Sequence, residues 1–245
     1  MAKDRTPAPS GTDRQPNEPA ARSSGAEVGA FLDQLRALGP AATAGARGRL
    51  IFALDATMSR QPLWDSACAL QADMFREAAA IGGLDVQLLY YRGLAECRAS
   101  RWVSDARQLA TLMEKIDCRG GPTQIAKVLA HARRESERQK VQALVFVGDA
   151  MEEPIDDLCA AAGPLGLVGV PACLFQEGHD PVAEQAFRDV AKLSHGAYCR
   201  FDPGAAHELA ELLRAVAAYA AGGMKALAGL KTRSAGAVKL IEQMR

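Results

Sequence analysis

Two stretches of this sequence share one design, and that design limits what the chain can fold into. Arg49 to Asp55 reads RLIFALD, and Ala143 to Asp149 reads ALVFVGD. Each is an unbroken apolar run that stops at an acid. Such a run lacks the polar/apolar alternation of a half-exposed strand, so it predicts a strand buried on both faces, as in a parallel sheet covered by helices. The segments around them alternate in the same way. Leu84–Arg92, Glu96–Val103, Val168–Gln176 and Ala197–Phe201 read as further strands, with 96–103 polar enough for a sheet edge. Helical spacing predicts helices over 62–81, 104–116 (N-capped by Ser104), 123–139, 153–165, 181–194 and 204–221. Strands joined by helices imply an α/β, doubly wound, mostly parallel six-stranded sheet, here with expected order 3-2-1-4-5-6.

The ends of the chain differ from this body. Residues 1–25 are rich in Pro, Ser, Gly and charge, and read as a disordered lead. Residues 26–47 hold a short helix, 27–38, and a small-residue linker. Residues 48–221 form the α/β domain. Residues 222–245 carry five basic residues against one acid, a basic tail with a helical pattern.

Composition excludes several function classes. Among 245 residues, 29 Lys and Arg balance 29 Asp and Glu, so no net field draws the chain to nucleic acid or anionic membrane. No apolar run is long enough to span a membrane, and the N-terminus lacks the apolar stretch of a secretory signal. Six cysteines (68, 97, 118, 159, 173, 199) form no CxxC pair and read as reduced, mostly buried residues of a cytoplasmic protein. The alanine- and arginine-rich composition suggests a bacterial source. The four histidines show no metal-ligand spacing, and no phosphate-binding glycine loop is present.

In an open doubly wound sheet, ligands bind beyond the carboxyl ends of the strands where the order reverses. With order 3-2-1-4-5-6, Asp55 and Asp149 end adjacent strands, about 4.8 Å apart. Two such carboxylates repel unless a positive charge lies between them. After Asp55 come Thr57 and Ser59, hydroxyls at alternate positions. A third hydroxyl, Thr123, follows Gly120-Gly121-Pro122 ahead of a helix. All five groups offer oxygen, which suits a hard cation such as Mg²⁺. Each also has a plain structural role open to it: Ser59 and Thr123 as helix caps, Asp55 as a turn acceptor. Glu152, Glu153, Asp156 and Asp157 read as an acidic rim or as charges favoured by the dipole of their own helix.

These residues resemble the metal-ion-dependent adhesion site of the von Willebrand factor A (VWA) family. That pattern is Asp-x-Ser-x-Ser after the first strand, a Thr in a glycine-containing loop and an Asp after the fourth strand. Here the positions are Asp55, Thr57, Ser59, Thr123 and Asp149, with Thr57 replacing the first Ser. Ser194-His195-Gly196-Ala197-Tyr198 is similar to the family's Thr-Gly-Gly stretch before its last strand. The resemblance covers about residues 48–221 and implies one Mg²⁺ (or Mn²⁺ or Ca²⁺). The hydroxyls would bind the ion directly and the acids mostly through water. An open position would then accept an Asp or Glu from a partner protein, with no enzymatic step. A metal-free interaction scaffold is the alternative reading. A phosphohydrolase of the haloacid dehalogenase type is another, because Gly148–Glu153 resembles its GDxxxD motif, but the acid/base Asp it needs is Thr57 here.

Overall fold

The computed structural model describes residues 47–57, 83–202 and 206–230. The expected helices 27–38 and 62–81, the residues Ser59, Arg60, Trp64 and Cys68, the N-terminal lead and most of the basic tail lie outside them.

Six strands form one sheet: β1 (Gly48–Asp55), β2 (Leu84–Arg92), β3 (Glu96–Val103), β4 (Ala143–Gly148), β5 (Ala172–Glu177) and β6 (Ala197–Phe201). Their order is β3-β2-β1-β4-β5-β6, as the alternating pattern predicts. All neighbours are parallel except β2 and β3, which pair antiparallel at the edge. The short Gly93–Ala95 connection imposes this, since a parallel return needs a crossover of a dozen or more residues. The β2–β3 register shifts between Gln87 and Leu89, and there the Ser100 hydroxyl accepts the Leu88 N–H at 3.0 Å.

Five described helices cover the sheet: α1 (Ala106–Met113), α2 (Ile125–Arg138), α3 (Ile155–Leu167), α4 (Pro181–Leu193) and α5 (Ala206–Gly229). Alternate strand residues feed two cores. Leu50, Phe52 and Leu54 pack with Leu109 of α1 and with Leu213 and Val216 of α5. Ile51, Ala53 and Phe146 pack with Val128 of α2, Leu158 of α3 and Phe187 of α4 on the other face. Every residue of β1 and β4 is buried. Burying one such aliphatic or phenyl side chain contributes roughly 1.5–3 kcal/mol, which is why these two strands form the centre.

Several boundaries differ from the sequence reading. α1 is capped by Asp105, not Ser104, and the Asp105 carboxylate accepts the Gln108 N–H at 2.9 Å. A charged acceptor facing the positive helix end outcompetes a hydroxyl one residue earlier. β5 begins at Ala172 rather than 168. Gly169 takes φ +66° and the Val170 N–H bonds the Leu165 carbonyl at 2.9 Å, so these residues close α3 instead of starting the strand. α4 begins as its sequence suggests: Asp180 accepts N–H groups from Val182 and Ala183, and Pro181 takes the first turn. Five cysteines, at 97, 118, 159, 173 and 199, are free thiols. Among the described residues, no helix is long and apolar enough to cross a membrane.

Candidate functional site

Leu54 of β1 lies opposite Val147 of β4, so the two acid-ended strands run side by side. Asp55 is the last residue of β1 and Asp149 follows β4 directly. Thr57 lies two residues past Asp55, and Thr123 just precedes Gln124, the N-cap residue of α2. Four of the five residues read from the sequence therefore leave the same sheet edge. The fifth, Ser59, is outside the described residues.

Asp55 is 3% exposed, and both its oxygens are engaged. Oδ1 accepts the Thr57 N–H at 2.8 Å, and Oδ2 accepts the Tyr91 hydroxyl at 3.0 Å. Burial pushes the Asp55 carboxyl above its ordinary range and the Asp149 charge adds to this, while the bonds from Thr57 and Tyr91 pull the other way. The Tyr91 phenol is fully buried. Burial holds its pKa well above normal, reinforced by Asp55 and, more weakly, by Glu153 and Asp149. Three carboxylates from two loops thus act on one hydroxyl.

The remaining loops are tied together by the chain's own groups. Thr123 and Glu152 form a reciprocal pair: the Thr123 N–H donates to the Glu152 carboxylate and the Glu152 N–H donates to the Thr123 hydroxyl, each at 3.0 Å. Glu153 accepts the Ile125 N–H at 2.6 Å and the Ala126 N–H at 2.9 Å. Neither glutamate serves its own helix as the sequence suggested; both serve the start of α2. Gln124 makes no side-chain cap, and Glu153 supplies the missing acceptor from another loop. The segment before Thr123 is held by Arg119, whose N–H bonds the Ala56 carbonyl at 2.9 Å and whose carbonyl accepts the Gly93 N–H at 3.3 Å. Gly121 is required here, because a Cβ on it would stand 2.1 Å from the Gly93 carbonyl oxygen.

The sequence does not mark Tyr91 as part of this hydrogen-bond network, and it reads Glu152 and Glu153 as rim or dipole charges rather than as acceptors for the start of α2. A tyrosine inside an apolar run reads as core. The glutamates' partners lie 27–29 positions away, beyond any local pattern. Glu153, the acid that a GDxxxD reading needs, is spent on backbone N–H groups. Among the described residues, no group of three or more His, Cys, Asp or Glu side chains is placed to hold a metal ion. Any cation here would depend on hydroxyls beside Asp55 and Asp149.

No protein-family model and no curated protein matches the sequence. Solved structures do match. One is a von Willebrand factor type A protein from Catenulispora acidiphila, with TM-score 0.55 and 16% identity over 72% of this chain and 43% of that one. Another is the SpRpn10 VWA domain, with TM-score 0.53 and 10% identity over 70% of this chain and 95% of that one. The fold is that of the VWA domains. A third match is proximal thread matrix protein 1 from the mussel byssus with a zinc-occupied MIDAS motif, with TM-score 0.50 and 16% identity over 72% of this chain and 48% of that one. The chain thus spans less than half of the first and third of these proteins but nearly all of the second. The stretch before β6 holds a buried hydroxyl: Ser194 accepts the Ala172 N–H at 3.2 Å and donates to the Val190 carbonyl at 2.8 Å. His195 takes φ +55°, a left-handed conformation uncommon for a non-glycine residue.

Proposed function

We propose that this chain is a non-enzymatic protein-interaction scaffold on the VWA fold. Its binding face is the carboxyl edge of the sheet, and that edge is shaped by the chain's own hydrogen bonds rather than by a cation. One observation carries the reading: two of the five expected ligands, Asp55 and Thr123, already hydrogen-bond to the chain's own groups. Asp55 holds Thr57 and Tyr91, and Thr123 holds Glu152 in both directions. The three loops are locked together, so the edge is preorganised for a partner.

A second reading keeps the cation. It is favoured by the burial of Asp55 beside the charge of Asp149, and by a donor set made only of hard oxygens. Asp55, Thr57, Ser59, Thr123 and Asp149 would then hold Mg²⁺, Mn²⁺ or Ca²⁺. The ion would supply an open position for a partner's Asp or Glu. The mussel protein with zinc in its MIDAS supports this only by analogy of fold.

Thermal melting of the full chain in excess Mg²⁺ and in chelator separates the two readings. The scaffold predicts melting temperatures within about 1 °C of each other, since a ligand that does not bind the fold adds no stability. It also predicts the same captured partners from source-cell lysate in both buffers, with weaker capture by Asp156→Lys, an exposed change on the same edge. A rise with Mg²⁺ that vanishes in Asp149→Ala, with capture lost in chelator, would install the cation reading instead.

A further inference from the structure

The opposite end of the strand order carries a second surface. β3 is the sheet's edge, and among the described residues no element lies beyond it. An edge strand directs half of its N–H and C=O groups away from its neighbour. β3 is eight residues long, contains no proline, and leaves Arg98, Ala99 and Arg101 exposed.

Basic residues flank this edge on both faces, with the acid Glu96 at the start of the strand. Arg98 lies opposite Tyr90, which packs on the α1 side of the sheet, and Arg101 reaches Gln108 of α1 at 3.3 Å. Arg107 of α1 is also exposed. On the other face, Cys97 and Trp102 pack with the α2 core, and the charges of Lys127 and Arg134 on α2 act on the Cys97 thiol. Local acids are largely occupied. Glu96 pairs with Arg92 and Arg98, Glu135 with Arg49 and Arg138, and Asp105 caps α1. The edge is a strip of basic side chains along a strand whose ladder to β2 shifts register near Ser100.

We infer that β3 is a docking strand for an extended acidic segment of another protein, which adds to the sheet as a seventh strand while its carboxylates meet the arginines and lysine on either side. The ladder supplies affinity and the flanking charges select the occupant. A second copy of the chain does not suit this edge, because two basic edges repel. β3 starts beside the carboxyl edge proposed above. The peptide test reads strand pairing and the metal test reads melting, so the failure of one is distinguishable from the failure of the other.

The probe is a fluorescein-labelled peptide of the same length as β3, alternating Glu and Val, titrated with the full chain by anisotropy. Saturable binding that weakens with salt is expected. A Lys/Val peptide should not bind. Arg98→Glu with Arg101→Glu should weaken binding about tenfold, with circular dichroism confirming the fold. Backbone pairing is tested on the peptide alone, so no protein variant can confuse it. N-methylation of alternate amides on one edge of the peptide should abolish binding, and methylation on the other edge should leave it. Equal binding by both methylated peptides, no effect of the double variant, or equal competition by a single-stranded oligonucleotide would overturn the inference, the last showing a general polyanion surface.

Discussion

Single residues in this protein are placed by distant partners as much as by their own segment. His131 on α2 is half-buried, with Nε2 2.8 Å from Gln87 Oε1 of β2. Burial lowers its pKa below the ordinary 6.5; Glu135 opposes the shift, and Arg134 and Arg138 reinforce it. The neutral ring is therefore favoured in the fold, and the unfolded chain takes up the proton first. Stability contributed by this residue is present above 6.5 and is lost as pH falls from there through the lower folded value. The melting temperature should drop between about pH 7 and 5, and His131→Gln should flatten that slope. An unchanged slope in the variant would show that other groups carry it. Such pairings set what is legible in sequence. Asp55 and Asp149 announce themselves because each stops an apolar run. Tyr91 gives no signal, since its only unusual property is the carboxylate that accepts its hydroxyl.

At the scale of elements, the strands are legible and the helix starts are less so, for one physical reason. A buried strand is specified by its own apolar run, and β1 and β4 keep the expected limits to within a residue. A helix start is specified by whatever satisfies its first N–H groups. For α4 that is Asp180, one residue before the expected start at 181. For α2 it is Glu153, from the loop after β4, and the expected Thr123 cap instead faces Glu152. Glu153→Ala should therefore destabilise the fold by about 1–2 kcal/mol, the usual size of a lost cap. Its effect should appear as faster hydrogen exchange at Ile125 and Ala126, far from the mutation in sequence. Glu153→Gln should retain part of the protection through its remaining carbonyl oxygen. Exchange unchanged in Glu153→Ala would mean that α2 starts without this acceptor.

The whole molecule depends on bringing its last described helix against its first strand. α5 lies over β1, β4 and β2, and its alanine-rich run 215–221 is buried throughout. Alanine at this density has little area to bury per residue, so close approach of backbones must make up the packing. Gly48, the first residue of β1, shows how close. A Cβ there would stand 2.0 Å from the Ala220 carbonyl oxygen, a fixed backbone atom that has no rotamer to yield. In the sequence Gly48 merely precedes the apolar run that starts at Arg49; only the return of α5 gives it a packing role. Gly48→Ala should push α5 off the sheet, costing at least the roughly 1–3 kcal/mol typical of overpacking. Limited proteolysis should then cut α5 first. Gly229, the last residue of α5, is the matched control, since a Cβ there meets nothing within 4 Å and no proline follows it. Gly229→Ala should be neutral, or stabilising by up to about 1 kcal/mol through helix propensity. Equal melting temperatures for the two variants would mean that the contact between the sheet's first residue and its covering helix does not hold the two together. A lower value for Gly48→Ala alone ties the stability of the central strand, and with it the edge that carries Asp55, to a helix more than 150 residues later.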